Sequence, residues 1–205
     1  MPNNCHELIS NLPRNRTNES SSQQGEFIYQ QLMAHRSGLH NDEAYAQMLA
    51  TWYSGRGDMP PRLGLEPTAY ERLLLRHFLN VVLPPITLPI QLVNSERLPE
   101  REELHLLLRS YCQESGEEAE WITTLVVNGC MGNDHLWQDL GLWSRQELST
   151  LMQRNFPSLA AQNDRDMKWK KFIYKQLCLQ EGIYTCRAPS CEVCVDYQQC
   201  FGSEE

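Results

Sequence analysis

Apolar side chains along this chain recur at intervals of three and four, the period of helices that bury one face. Phe27, Tyr29, Leu32 and Met33 predict a helix near 24–36. Asn41 or Asp42 can cap a second, with Tyr45, Met48, Leu49 and Trp52 on one face, ending before Gly55 and Gly57. Pro60 and Pro61 break the pattern, and Pro67 is placed as the first residue of a third helix over about 67–80, carrying Tyr70, Leu73, Leu74 and Phe78 inward. Pro99 opens a helix with Leu104, Leu107, Leu108 and Tyr111. Glu117 opens the next, with Trp121, Leu125 and Val126, and Gly129 and Gly132 around Cys130 mark its end. Asn133 can cap a short helix through Leu140. Ser144, with Glu147 three residues on, forms a capping box ahead of Leu148, Leu151 and Met152. Pro157 starts a short turn. Asn163 or Asp164 then begins a strongly patterned helix that runs to Gly182.

Strand-like alternation is nearly absent, and Leu is twice as frequent as Val and Ile together, which favours helix over sheet. The expected fold is all-α, a helical domain followed by an irregular C-terminal cysteine-rich metal-binding loop. Residues 1–22 are Asn-, Ser- and Arg-rich without periodicity and read as a disordered tail. A helical region over 23–83, a proline-rich linker over 84–99, a second helical region over 100–182 and the loop over 183–205 complete the division. The net charge of −8 and pI near 5.3 argue against a nucleic-acid binder, which needs a basic surface. The most apolar stretch, Phe78 to Val93, is broken by Pro84, Pro85 and Pro89, so no membrane span is expected. Without a secretory signal at its start, the chain is expected to be cytoplasmic and its thiols reduced.

Half of the eight cysteines fall in one short stretch, Cys186, Cys191, Cys194 and Cys200, with the spacing C-x4-C-x2-C-x5-C. Reduced thiolates at this density suit a soft metal, either zinc or an iron–sulfur cluster. Zinc sites generally join two C-x2-4-C knuckles across a longer gap, whereas one compact wrap is closer to iron–sulfur loops. There is no internal repeat, no Gly-rich phosphate loop and no G-x-S-x-G.

Several segments together carry a resemblance. They are His135-Leu136-Trp137-Gln138-Asp139-Leu140-Gly141-Leu142, Phe156-Pro157, Asn163, Asp166-Met167-Lys168-Trp169-Lys170-Lys171-Phe172, Gln176-Leu177-Cys178, and the cysteine loop closing in Cys200-Phe201-Gly202. Over roughly 130–202 the chain resembles the NifQ family of molybdenum-handling proteins of nitrogen fixation. The resemblance implies a metal and cluster donor, not a turnover enzyme. It would carry an iron–sulfur cluster containing molybdenum, with molybdate as the source, and supply molybdenum for the nitrogenase iron–molybdenum cofactor. The implied partners are the nitrogenase cofactor-assembly scaffold and the nitrogenase iron protein. On this expectation Cys186, Cys191, Cys194 and Cys200 are the metal ligands. Thiolates suit the iron of such a cluster, and molybdenum takes more ligands than one cysteine can give. The competing readings of the same loop are an iron–sulfur electron-transfer protein and a zinc-stapled helical interaction module.

Four further residues are candidates for additional ligation or support. Cys178 shares a helix face with Lys171 and Lys175, and ammonium groups beside a thiol favour thiolate. His135 and Asp139 lie one helical turn apart, which suits either support of a metal ligand or an ordinary surface pair. Cys130 sits between two glycines and reads equally as a small buried hydrophobe. Lys168, Lys171 and Lys175 form a basic stripe that could dock molybdate or an acidic partner, or simply be solvated. Trp169, Ile173 and Leu177 on the other side read as core.

Overall fold

Residues 15–57, 59–85 and 98–180 are described by the computed structural model of the chain. The cysteine-rich stretch 183–205 and most of 84–99 lie outside the described residues, as does the greater part of the N-terminal tail. The described residues are helical with no strand among them, in keeping with the all-α expectation.

The first pair of helices, α1 (Asn15–Ala34) and α2 (Asp42–Tyr53), pack against each other along their length. α1 begins inside the stretch whose composition reads as disordered, and it buries Ile28 and Leu32. α2 opens with an acidic turn that suits the positive helix end: Asp42 Oδ2 accepts from the backbone N–H groups of Gly38 and Leu39 at 2.7 and 2.8 Å. Its whole middle, Tyr45 to Ala50, is buried. A single-turn 3-10 segment, Pro61–Gly64, follows, with left-handed backbone at Arg62 and Leu63. It is pinned by Asn128 Nδ2, which donates to the Leu63 carbonyl at 2.9 Å.

Pro67 does start a helix, α3 (Pro67–His77). It stops short of the expected end because Phe78 leaves helical geometry and forms an isolated bridge with Arg36. Next come α4 (Leu98–Tyr111) and α5 (Gly116–Cys130), which pack on one another. α5 is the central element. Trp121, Ile122, Leu125, Val126 and Val127 are all at or below 3% exposure. Fully burying side chains of this kind stabilises the fold by about 1.5–3 kcal/mol each.

Three short helices then wrap that core: α6 (Leu136–Leu140), α7 (Arg145–Asn155) and α8 (Pro157–Ala160). Ser144 caps α7 as its sequence predicts, its hydroxyl accepting from the Glu147 N–H at 3.2 Å. The return bond of the expected capping box goes one residue further out, from Trp143 N–H to Glu147 at 3.0 Å. The final helix, α9 (Trp169–Gln180), starts later than the patterning suggests. Asn163 closes a turn instead: its amide donates to the Met167 carbonyl and its oxygen accepts from the Met167 N–H, both at 2.9 Å. Asp166, at φ 50°, keeps the chain out of helical geometry there.

Both sides of the 84–99 stretch feed one apolar core, and buried polar ties cross between them. Asn41, before α2, and Asn155, ending α7, exchange amide hydrogen bonds at 2.9 and 3.0 Å. His77, at the end of α3, is 1% exposed and bridges Asp42 of α2 at 2.7 Å and Glu118 of α5 at 3.0 Å.

Candidate functional site

The helix that leads toward the cysteine loop is buried on most sides. Trp169, Phe172, Ile173, Tyr174, Leu177 and Cys178 all lie in the interior, so the expectation of a core face at Trp169, Ile173 and Leu177 is met and exceeded. Trp169 stacks edge-on against Phe172 and donates from its indole N–H to Ser149 Oγ at 3.1 Å. Tyr174 reaches across to hydrogen-bond the Glu100 carboxylate of α4.

The most consequential residue of α9 is one its periodicity does not single out. Lys170 is 5% exposed, and its ammonium is held by three acceptors. It pairs with the buried Asp139 carboxylate of α6 and donates to the carbonyls of Gly132 at 3.0 Å and Asp134 at 2.7 Å. Three donors meet three acceptors, which makes burial of the charge tolerable. Asp139 accepts in turn from the Asp134 N–H at 3.2 Å. Gly132 is required by this arrangement, since a Cβ there would lie 2.4 Å from the Asp139 carboxylate. Gly129 has the same function nearly a turn earlier, where a Cβ would meet Leu140 and Leu136 within 2.9 Å. The glycines around Cys130 thus let α6 settle directly onto the end of α5, and Cys130 itself is fully buried.

The sequence-derived candidates therefore separate. Asp139 points into the core toward Lys170, whereas His135 is exposed at the start of α6, ahead of the helix it is expected to occupy. There the Gln138 side chain accepts from the His135 backbone N–H at 3.3 Å. Cys178 is buried at 6% exposure. Of the basic stripe, Lys168 is half-buried, Lys171 is buried at 9% and Lys175 is exposed, with its ammonium 4.0 Å from the Met167 sulfur. Cys186, Cys191, Cys194 and Cys200 lie outside the described residues. Among the described residues no group of three or more His, Cys, Asp or Glu side chains is placed to hold a metal ion.

Lys168 and Lys171 line a small cleft of about 210 Å3 together with residues 133–137, at and before the start of α6, and residues of α7 and the start of α9. Arg145 and His135 also line it. Arg145 also reaches Asp166, its guanidinium 2.8 Å from the carboxylate and donating to the Asp166 carbonyl at 3.2 Å. Neither Arg145 nor Lys170 is evident from linear spacing. Arg145 precedes Lys168 by α7, α8 and the turn before α9, and the partner of Lys170 lies 31 residues away.

The described chain is thus an all-helical scaffold whose last described helix, α9, is followed in the sequence by the four-cysteine motif. The NifQ family model matches residues 44–202, from α2 through the last of the four cysteines. Protein NifQ of Azotobacter vinelandii is 40% identical over 160 residues, covering 73% of this chain and 82% of that protein. Protein NifQ of Klebsiella pneumoniae is 37% identical, covering 73% of this chain and 92% of that protein. Protein NifQ of Rhodobacter capsulatus is 34% identical, covering 78% and 86%. No solved structure matches the chain significantly. The chain belongs to the NifQ family, which is linked to nitrogen fixation.

Proposed function

We propose that this protein carries molybdenum together with an iron–sulfur cluster and supplies the molybdenum for assembly of the nitrogenase iron–molybdenum cofactor. The observation that carries this reading is the reach of the family match, which runs to residue 202 and so takes in the whole C-x4-C-x2-C-x5-C motif. In this reading the cluster is cargo. Cys186, Cys191, Cys194 and Cys200 supply thiolates, the ligand type that iron in such clusters prefers. Four thiolates leave molybdenum with positions to fill from elsewhere, which suits a carrier that must let its metal go. The recipients are the cofactor-assembly scaffold and the nitrogenase iron protein, in the cytoplasm. No nucleic acid or membrane takes part, and no turnover chemistry is assigned. No described helix is long and apolar enough to cross a membrane.

Protein purified without oxygen should contain iron, acid-labile sulfide and molybdenum, and should pass molybdenum to a cofactor-assembly mixture lacking any other source. Replacing any one of the four loop cysteines by Ala should lower iron and sulfide content and weaken the visible absorption of the cluster. Stoichiometric zinc in a colourless anaerobic sample, with no iron or sulfide, would sink the reading. Two or more single variants that keep full iron and sulfide would show that the ligands are wrongly assigned.

A further inference from the structure

A second and larger cleft, of about 1020 Å3, is lined by α1, the end of α2, and α6 with the residues just after it. Of the large apolar side chains that stay exposed among the described residues, the two aromatic ones both line it: Phe27 at 59% and Trp143 at 44%. The half-buried Trp137 lines it too. A single exposed apolar side chain is ordinary, but aromatic rings gathered in one concavity mark a contact surface. Trp143 is also held in position. Its ring lies against Tyr29 of α1, with centroids 4.4 Å apart, and its backbone N–H donates to Glu147. Between the two tryptophans in sequence, the Gly141 carbonyl accepts from Thr51 Oγ1 at 2.7 Å, and a Cβ on Gly141 would lie 2.9 Å from the Thr51 side chain. The end of α6 is therefore seated on α2. A ring fixed in this way loses little freedom when something packs on it.

The charges in the lining favour a cation. Glu26 accepts only from the neutral Gln30 amide, at 2.8 Å. Asp134 bonds through its backbone N–H and carbonyl, and its carboxylate meets no side chain among the described residues. Asp139 lines the cleft as well, but its charge is paired with Lys170. Against these stands Arg56, which gives its Nε–H to Ser54 Oγ at 3.0 Å and lays its Nη2 over Gly25, where a Cβ would be 3.2 Å away. Aromatic faces attract cations through their negative quadrupole. The net charge of −8 draws basic partners toward the whole molecule. Size decides between a small ligand and a protein segment. Pockets for organic molecules run from about 300 to 1,000 Å3, and this open cleft stands at the top of that range. Exposed tryptophan and phenylalanine beside charged side chains are also the composition of protein–protein contact centres.

We infer that this cleft docks a basic segment of a partner protein, with an Arg or Lys side chain laid on the Trp143 ring and its charge met by Glu26 and Asp134. Phe27 and Trp137 cover the apolar side chains that flank it. The inference does not depend on the carrier reading, because no residue of the four-cysteine motif lines the cleft.

The test is fluorescence anisotropy of a labelled, end-blocked dodecapeptide of alternating arginine and leucine, titrated with the full chain at low salt. Its counterpart carries citrulline, the neutral isostere, in place of arginine. The arginine peptide should bind saturably, and the citrulline peptide about tenfold more weakly or not at all. Trp143→Leu should weaken binding about fivefold, whereas Trp143→Tyr, which keeps an aromatic face, should keep most of it. Asp134→Asn and Glu26→Gln should each weaken it about threefold, and Arg56→Gln should strengthen it by removing a like charge. Affinity should fall as salt rises. Glu71→Gln, on the exposed face of α3, should change nothing. Circular dichroism on each variant separates lost binding from lost fold. Equal binding of the two peptides, indifference to Trp143→Leu, or a Glu71→Gln effect as large as that of Asp134→Asn overturns the proposal. Free arginine amide that binds as tightly as the peptide also overturns it, since the cleft would then serve a small cation and not a protein segment.

Discussion

An ammonium as deeply buried as that of Lys170 is stable only while its acceptors stay in place. Removing one partner of such a pair leaves a bare charge in the interior and costs about 3–5 kcal/mol, whereas replacing both by apolar groups is often nearly neutral. Asp139→Ala should therefore lower the urea midpoint by an amount equivalent to about 3 kcal/mol or more, and Asp139→Leu combined with Lys170→Met should recover most of it. A loss in the double variant equal to the sum of the losses of its two single variants would mean that the pair is not coupled. The His77 bridge makes a prediction about pH. Burial pushes the Glu118 pKa up, but the hydrogen bond and charge of His77 outweigh it, aided by the Tyr45 hydroxyl and Arg76, and hold the carboxyl below its ordinary 4.5. A carboxyl with a depressed folded pKa stabilises the fold above the unfolded value. That contribution disappears as pH falls through the folded one. Denaturation curves from pH 6 downward should show the native chain losing stability as pH drops below about 4.5, with Glu118→Gln less stable at pH 6 and flatter toward acid. Parallel curves would show that Glu118 is not the group responsible.

At the scale of elements, α5, α6 and α9 meet at Gly132 so closely that a single methyl group is a test of the packing. Gly132→Ala would drive a Cβ to within 2.4 Å of the Asp139 carboxylate, whose position is fixed by Lys170. Overpacking of this kind typically costs about 1–3 kcal/mol, and here it also disturbs a buried ion pair. A melting temperature within a degree or two of the native protein would mean that α6 can slide away freely. The same junction shows what the sequence makes legible. The starts of α2, α3 and α7 follow from Asn41–Asp42, Pro67 and Ser144, because caps and prolines act over three or four residues. The late start of α9 is not legible. Asn163 and Asp164 look like caps, and only the Asn163–Met167 bonds and the left-handed Asp166 show that a turn wins. Lys168, Lys171 and Lys175 stand out because they repeat at helical spacing. Lys170 does not, since its importance depends on Asp139 and on carbonyls from another segment. Arg145 joins the cleft for the same reason: convergence from three elements leaves no trace in one-dimensional spacing.

For the molecule as a whole, the helices that form the described core all precede the four-cysteine motif in the sequence. The core runs from α1 to α9 and is built of Leu, aromatic and β-branched side chains, tied by the Asn41–Asn155 and His77 links. Many small metal-binding domains fold only when loaded, because too little apolar surface is buried without the ion. That condition does not hold here, where at least α2, α5 and α9 each bury most of their residues against other helices. The four-cysteine motif begins at Cys186, after the last residue of α9, so on the proposed reading the metal would be held by residues that follow the described helices in the sequence. On that reading we predict that cargo loads and leaves without the protein unfolding at each transfer. Protein stripped of metal by an iron chelator and a reductant should keep nearly all of its helical circular dichroism and unfold cooperatively in urea. The form with Cys186, Cys191, Cys194 and Cys200 all changed to Ser should behave the same way, with a midpoint close to that of the loaded protein. Loss of most of the helical signal in either sample would show that the loop and its metal belong to the core, and that the carrier releases its cargo by unfolding.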